Sequence, residues 1–202
     1  MKDTIEKISA AKVIPVITCE AIDEVMPKMN AIIKGGLNCA EIAFRTECAA
    51  EAVKLAADNF PEAVIGAGTV INKLQCEEAI IAGAKFIVSP GFSAEVAKCC
   101  EEHNTLYISG VATPTEVMAA VENGLNVLEF FPAEGMGGVK TLKEMSVSFP
   151  EVKFAAAGRI NAKNIGEYFA AGKVVACFVE DVANGTAEEI TAKARAIAKK
   201  VL

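Results

Sequence analysis

Eight short, β-rich apolar runs recur along this chain, and between them lie longer stretches with helical periodicity; this alternation is its strongest folding constraint. The runs are Val13 to Ile17, Ala40 to Phe44, Ala63 to Gly66, Phe86 to Ser89, Thr105 to Ser109, Val127 to Phe131, Val152 to Ala156 and Val174 to Phe178. The intervening helical segments begin at Ala21, Ala49, Lys73, Ser93, Pro114, Val139 and Ala162, and a last one spans Ala187 to Lys200. Turn residues follow most of them (Gly35-Gly36, Asn59, Gly83, Asn104, Asn123-Gly124, Gly172), and Ser93 and Thr113-Pro114 carry helix-start chemistry. Strands separated by one helix must run parallel. Units of roughly 25 residues then predict an α/β chain folded as a single (β/α)8 TIM barrel, one domain over residues 1–202. A doubly wound open sheet is disfavoured, because no strand is followed by GxGxxG and polar residues sit at strand ends all round the chain.

Composition removes several function classes. A net charge of −6 without a basic run at either end argues against a nucleic-acid partner. The apolar stretches fall far short of the roughly 20 residues of a membrane span, and the first seven residues mix charges of both signs without a signal-type apolar core. A cytoplasmic protein without a membrane partner is expected. Seven cysteines without CxxC or Cys/His spacing read as reduced, mostly buried thiols, and no metal site is expected. The single histidine, His103, lies in a polar helix end, which leaves no imidazole for a Ser/His or Cys/His nucleophile pair.

In a parallel barrel the C-terminal strand ends and the loops after them form the site. These ends supply Glu41 with Arg45, Gly66 to Thr69, Ser89 to Phe92, Ser109 to Pro114, Glu129 with Phe131-Pro132-Ala133-Glu134, Ala157-Gly158-Arg159, and Phe178 to Asp181. Alternation puts Glu41 and Glu129 on the inward face, so two carboxylates point into the barrel. A buried carboxylate needs a partner or takes a raised pKa. For Glu129 the partner is expected to be Arg159 or Arg45; for Glu41 an ion pair with Arg45 stands beside a catalytic role. Glu180 and Asp181 either cap the short helix after the eighth strand or meet a ligand, and the four acids offer a minor Mg²⁺ alternative.

The segments Cys39 to Thr46, Ile65 to Val70, Phe86 to Phe92, Gly110 to Glu116 and Phe130 to Glu134 closely resemble the class I aldolases acting on 2-keto-3-deoxy-6-phosphogluconate and 4-hydroxy-2-oxoglutarate. The resemblance spans essentially the whole chain. It implies a lyase working without a cofactor, a small-molecule substrate in the barrel mouth, and a homotrimer. It also implies an imine-forming lysine on the sixth strand, a proton-shuttling glutamate at Glu41, and substrate contacts from Arg45 and Thr69; Phe131, Gly158, Arg159, Phe178 and Glu180 at neighbouring strand ends are the further candidate substrate-binding residues. The chain departs from the family at four places. Glu129 occupies the lysine position; Ala156-Ala157-Gly158-Arg159 replaces Pro-Thr-Gly-Gly; Phe178-Val179-Glu180 replaces Gly-Gly-Ser; Ser109-Gly110 stands where Pro-Gly is common. A carboxylate forms no imine, so Glu41 and Glu129 are expected in a rewritten site with native cleavage lost or severely reduced. The alternatives are proton abstraction from carbon by these two acids, and a non-catalytic trimeric scaffold or binding protein.

Overall fold

A computed structural model describes residues 1–201. The eight strands are β1 (Val13–Ile17), β2 (Cys39–Ala43), β3 (Val64–Gly68), β4 (Phe86–Ser89), β5 (Leu106–Val111), β6 (Val127–Phe130), β7 (Lys153–Ala156) and β8 (Val174–Val179). They pair in sequence order, all parallel, and β8 closes on β1, which gives the expected (β/α)8 barrel and excludes the open sheet. The helices are α1 (Lys2–Ala11), α2 (Val25–Lys34), α3 (Ala49–Asn59), α4 (Lys73–Ile81), α5 (Ala94–Glu102), α6 (Pro114–Glu122), α7 (Gly138–Ser148), α8 (Ile165–Ala170) and α9 (Ala187–Val201). No described helix is long and apolar enough to cross a membrane.

Local chemistry accounts for the helix starts. Ser93 Oγ accepts from Val96 N–H, and Thr113 with Glu116 forms a reciprocal capping box ahead of Pro114. Each satisfies amides that the first turn cannot pair internally. All seven cysteines are free; six are buried and Cys48 is half-buried, while His103 is an exposed C-cap residue.

Strand alternation divides the apolar residues into two cores. The outward faces pack against the helices through residues such as Ile17, Ile42, Ile65, Ile87, Leu128 and Phe154. The inward faces fill the cylinder with Ile14, Val16, Cys39, Val64, Phe86, Val88, Leu106, Ile108, Val127, Ala155 and Phe178. The sequence reading assigned no element to the first eleven residues; they form α1, whose buried Ile8 joins the inner core with Ile5 and Ala11 beside it. No strand precedes this segment, so the strand–helix alternation does not call for it, and the packing of Ile8 into the inner core anchors it. With apolar side chains closing the N-terminal side, access to the interior is left at the opposite end.

Candidate active site

At the C-terminal end of the strands lies a cavity of about 690 Å³. Strands β2, β4, β6 and β8 contribute Glu41, Val88, Glu129 and Phe178 to its wall, one residue from each alternate strand, as barrel interiors are layered. Above them the odd strands carry little side-chain bulk: Gly68 ends β3, Gly110 lies in β5 and Ala157 follows β7. This taper leaves the mouth open. Every residue assigned to the site from the sequence, namely Glu41, Arg45, Thr69, Glu129, Phe131, Gly158, Arg159, Phe178 and Glu180, lines this one cavity.

Both carboxyls are buried, Glu41 at 4% exposure and Glu129 at 5%. In the sheet register Glu41 lies between Val16 and Gly66, and Glu129 between Gly110 and Ala155, so no strand neighbour offers either one a polar side chain. Neither makes an ion pair among the described residues, and Glu41 Oε2 is buried without any hydrogen-bond partner. Burial pushes the Glu41 carboxyl up from 4.5 to about 8, with Arg45 pulling down and Glu180 pushing up. Glu129 is driven well above the carboxylate range, first by burial and then by the charge of Glu41. The physical cause is shared: a low-polarity wall disfavours one negative charge and disfavours two more strongly. Both carboxyls are thus held towards their protonated forms, Glu41 by its pKa of about 8 and Glu129 by burial and the Glu41 charge.

The expected partners of these acids are engaged elsewhere or point outward. Arg45 donates through Nη1 to Glu180 Oε1 at 2.8 Å and through Nε to Thr69 Oγ1 at 3.2 Å. Arg45 is thereby tied to the loop after β8, which corrects the expectation of a Glu41–Arg45 or Glu129–Arg45 pair. Arg159 makes no ion pair with Glu129 either, which corrects the other expected partner. Arg159 is exposed with φ of 60°, a left-handed backbone that turns the chain after Gly158 and holds the guanidinium at the rim. The Arg45–Glu180 bridge is itself largely exposed and contributes at most about 1 kcal/mol; its effect is to set the loops.

Glu180 and Asp181 precede and begin a short helical turn but make no side-chain cap, because Asp181 is held by Lys193 at 3.1 Å. No group of three or more acidic, histidine or cysteine side chains among the described residues is arranged to hold a metal ion.

Two glycines shape the site. A Cβ on Gly68 would fall 1.6 Å from Glu41 Oε1, so the missing side chain is the space the carboxyl occupies. Gly158 has φ of 97°, and a Cβ there would meet Pro132 and Ala133 backbone at 3.0 Å. Gly68→Ala is expected to lower stability by about 1–3 kcal/mol by forcing the carboxyl aside. In a Glu41→Ala background the same change should cost clearly less, and urea unfolding of the four proteins measures that coupling. The sequence reading did not connect Gly68 to Glu41, and it passed over Val16, Val88, Asn161 and Asn184 on the wall. Period-two alternation marks the two valines; the asparagines follow β7 and β8 in loops whose shape the sequence does not specify.

A closed parallel barrel with acids and arginines around a cavity at the C-terminal strand ends defines the class: a TIM-barrel protein with a pocket where such barrels take small molecules. The family profile described as "Aldolase: KDPG and KHG aldolase" matches residues 4–193. The chain belongs to the KDPG and KHG aldolase family, a family of lyases. It is 37% identical over 193 residues to the 2-dehydro-3-deoxy-phosphogluconate aldolase of Treponema pallidum, covering 93% of this chain and 92% of that one. It is likewise 37% identical over 168 residues to the KHG/KDPG aldolase of Escherichia coli K12, covering 83% and 79% respectively. Among solved structures, the 2-keto-3-deoxy-6-phosphogluconate aldolase of Zymomonas mobilis ZM4 with 3-phosphoglycerate superposes with a TM-score of 0.92 at 35% identity, covering 98% of this chain and 96% of that one. The Legionella pneumophila KDPG aldolase, with pyruvate captured as a covalent carbinolamine, gives 0.90 at 34% identity, covering 96% and 97%.

Proposed function

We propose that this barrel keeps the small-molecule cavity of its family but has a rewritten site in which imine-dependent aldol cleavage is lost or severely reduced. One observation carries the reading: no lysine lines the cavity, whose cationic side chains are the guanidiniums of Arg45 and Arg159. A carbinolamine such as the one in the Legionella relative requires an amine nucleophile, and a guanidinium that never deprotonates in a protein is not one. Glu129 stands on β6 where the resemblance puts the reacting lysine, and its carboxyl cannot accept the electrons released when a carbon–carbon bond breaks.

The loops after β7 and β8 support the same reading. Where the resemblance places glycine amides for a phosphate, this chain presents the carboxyls of Glu180 and Asp181 on the cavity wall, while Val179 packs outward against the helices and leaves the approach free. Like charges at ~4 Å repel by about 4 kcal/mol in a partly shielded site, and the solvent-exposed ion pairs of Glu180 with Arg45 and of Asp181 with Lys193 offset part of that repulsion.

Glu41 and Glu129 are the residues assigned to the remaining chemistry, with Arg45, Thr69, Phe131, Gly158, Arg159, Phe178 and Glu180 as ligand contacts. The reading carries with it one domain over residues 1–202, a cytoplasmic setting and a homotrimer, the last tested by light scattering on the eluting protein. The function is tested by following pyruvate release from 2-keto-3-deoxy-6-phosphogluconate and from 4-hydroxy-2-oxoglutarate beside the Escherichia coli relative. The expected rate is lower by several powers of ten, comparable to the loss of a covalent nucleophile. A rate within about tenfold of the relative's would overturn the reading.

A further inference from the structure

The geometry points to a seat for the primary ammonium group of a small ligand, held between Glu41 and Glu129 at the floor of the barrel cavity. The two carboxyls project from β2 and β6, opposite strands of the closed barrel, into one cavity. Glu41 Oε2 is fully buried and unpartnered, and a natural fold rarely leaves such an oxygen without a donor unless a ligand supplies it. Neither carboxyl has a cation of its own among the described residues, because Arg45 is committed to Glu180 and Thr69 and Arg159 lies at the exposed rim. The rest of the cavity wall is apolar, formed by Val16, Val88 and Phe178 beside the acids and by Phe131 beyond Glu129 towards the mouth. An ammonium end at the two acids, a short apolar body and an anionic end facing Arg159 match these surfaces.

The seat is reversed in sign relative to an anion site. Four carboxyls line the cavity against two guanidiniums, and both cations lie towards the mouth. An ammonium group donates three hydrogen bonds from a compact charge, enough for both buried carboxyls together. A carboxylate or phosphate entering the floor first would meet two acids and no donor except their own protons.

Binding is coupled to protons. The groups facing the pair are Arg45 and Glu180 from the loops after β2 and β8, Arg159 after β7, Asp181 with its Lys193, and Cys39 two residues below Glu41 on β2. Burial holds both carboxyls above the ordinary carboxylate range, so an arriving ammonium favours their ionised forms and expels protons into solvent.

The inference rests on the cavity reading of the preceding subsection, yet the two fail separately: an imine appears as covalent mass, an ammonium seat as reversible heat. β-Alanine and propionate differ by one amine and serve as matched probes. Calorimetric titration at neutral pH, in two buffers of different ionisation heat, should show millimolar β-alanine binding with proton release. Propionate should bind at least about tenfold more weakly. Glu41→Gln and Glu129→Gln should each weaken β-alanine by about tenfold or more and reduce the protons released. If a variant does not fold, the wild-type comparison of the two probes decides. Propionate binding as tightly as β-alanine, β-alanine binding without proton release, or no β-alanine binding at millimolar concentration would each overturn the seat.

Discussion

Glu129→Lys is expected to convert a protein that gives no reducible pyruvate adduct into one that gives a stoichiometric adduct. The substituted amine would project from β6 into the cavity opposite Glu41, at the position where Glu129 is 5% exposed. Burial disfavours its charged form while the Glu41 carboxyl favours it, and the neutral fraction attacks the ketone. Borohydride reduction in the presence of pyruvate, followed by intact mass measurement, should add one reduced pyruvyl group per chain. Cleavage of the phosphorylated substrate should nevertheless remain far below that of the relatives, because Glu180 and Asp181 still line the place that must receive a phosphate. Adduct formation together with relative-like cleavage would show that the lysine position alone separates this chain from its family. An absence of adduct in the folded variant would show that the position does not present its side chain to the substrate.

The second large effect is on stability. Folding raises the Glu41 pKa from 4.5 to about 8 and raises that of Glu129 further above the carboxylate range. Between the ordinary and the folded values the native state binds more protons than the unfolded state, so stability falls as pH rises. The contribution is fully present below the ordinary value, where both states are protonated, and is lost as pH climbs through about 8 and beyond. Wild-type unfolding free energy is therefore expected to drop between about pH 5 and about pH 9 by on the order of a few kcal/mol. Glu129→Gln removes one of the two acids and keeps its shape, and should flatten the profile and stabilise the protein at the alkaline end. Urea unfolding at the two pH values for both proteins measures this. A wild-type stability that rises over that interval would contradict the burial of unpaired acids at the cavity floor.

Much of this was legible before any coordinates, for a physical reason. Period-two alternation in Glu41-Ile42-Ala43 and in Val127-Leu128-Glu129 fixes which side chains enter the cylinder once the strands are known to be parallel and closed. What alternation does not encode is the partner of a side chain that leaves the strand. Arg45 and Arg159 both follow strand ends, and their pairing depends on loop backbone: Arg45 reaches Glu180, 135 residues away, while the left-handed φ at Arg159 sends its side chain to the rim. Gly68 shows a third case, in which the absence of an atom shapes the site; its neighbour across the β2–β3 ladder is Ala43, and only the folded register brings it against the Glu41 carboxyl. The helix over Lys2–Ala11 was missed because no strand precedes it and the strand–helix alternation does not call for it; Ile8 in the inner core anchors it.

Whether any amine inside this cavity reacts with a ketone separates a lost imine mechanism from a retained one. Incubation of the unmodified protein with pyruvate and borohydride, followed by intact mass measurement and peptide mapping, reads that out directly. The account predicts an unchanged mass, with the Zymomonas mobilis relative labelled under the same conditions. A reduced pyruvyl group mapped to a residue of the barrel cavity would contradict it.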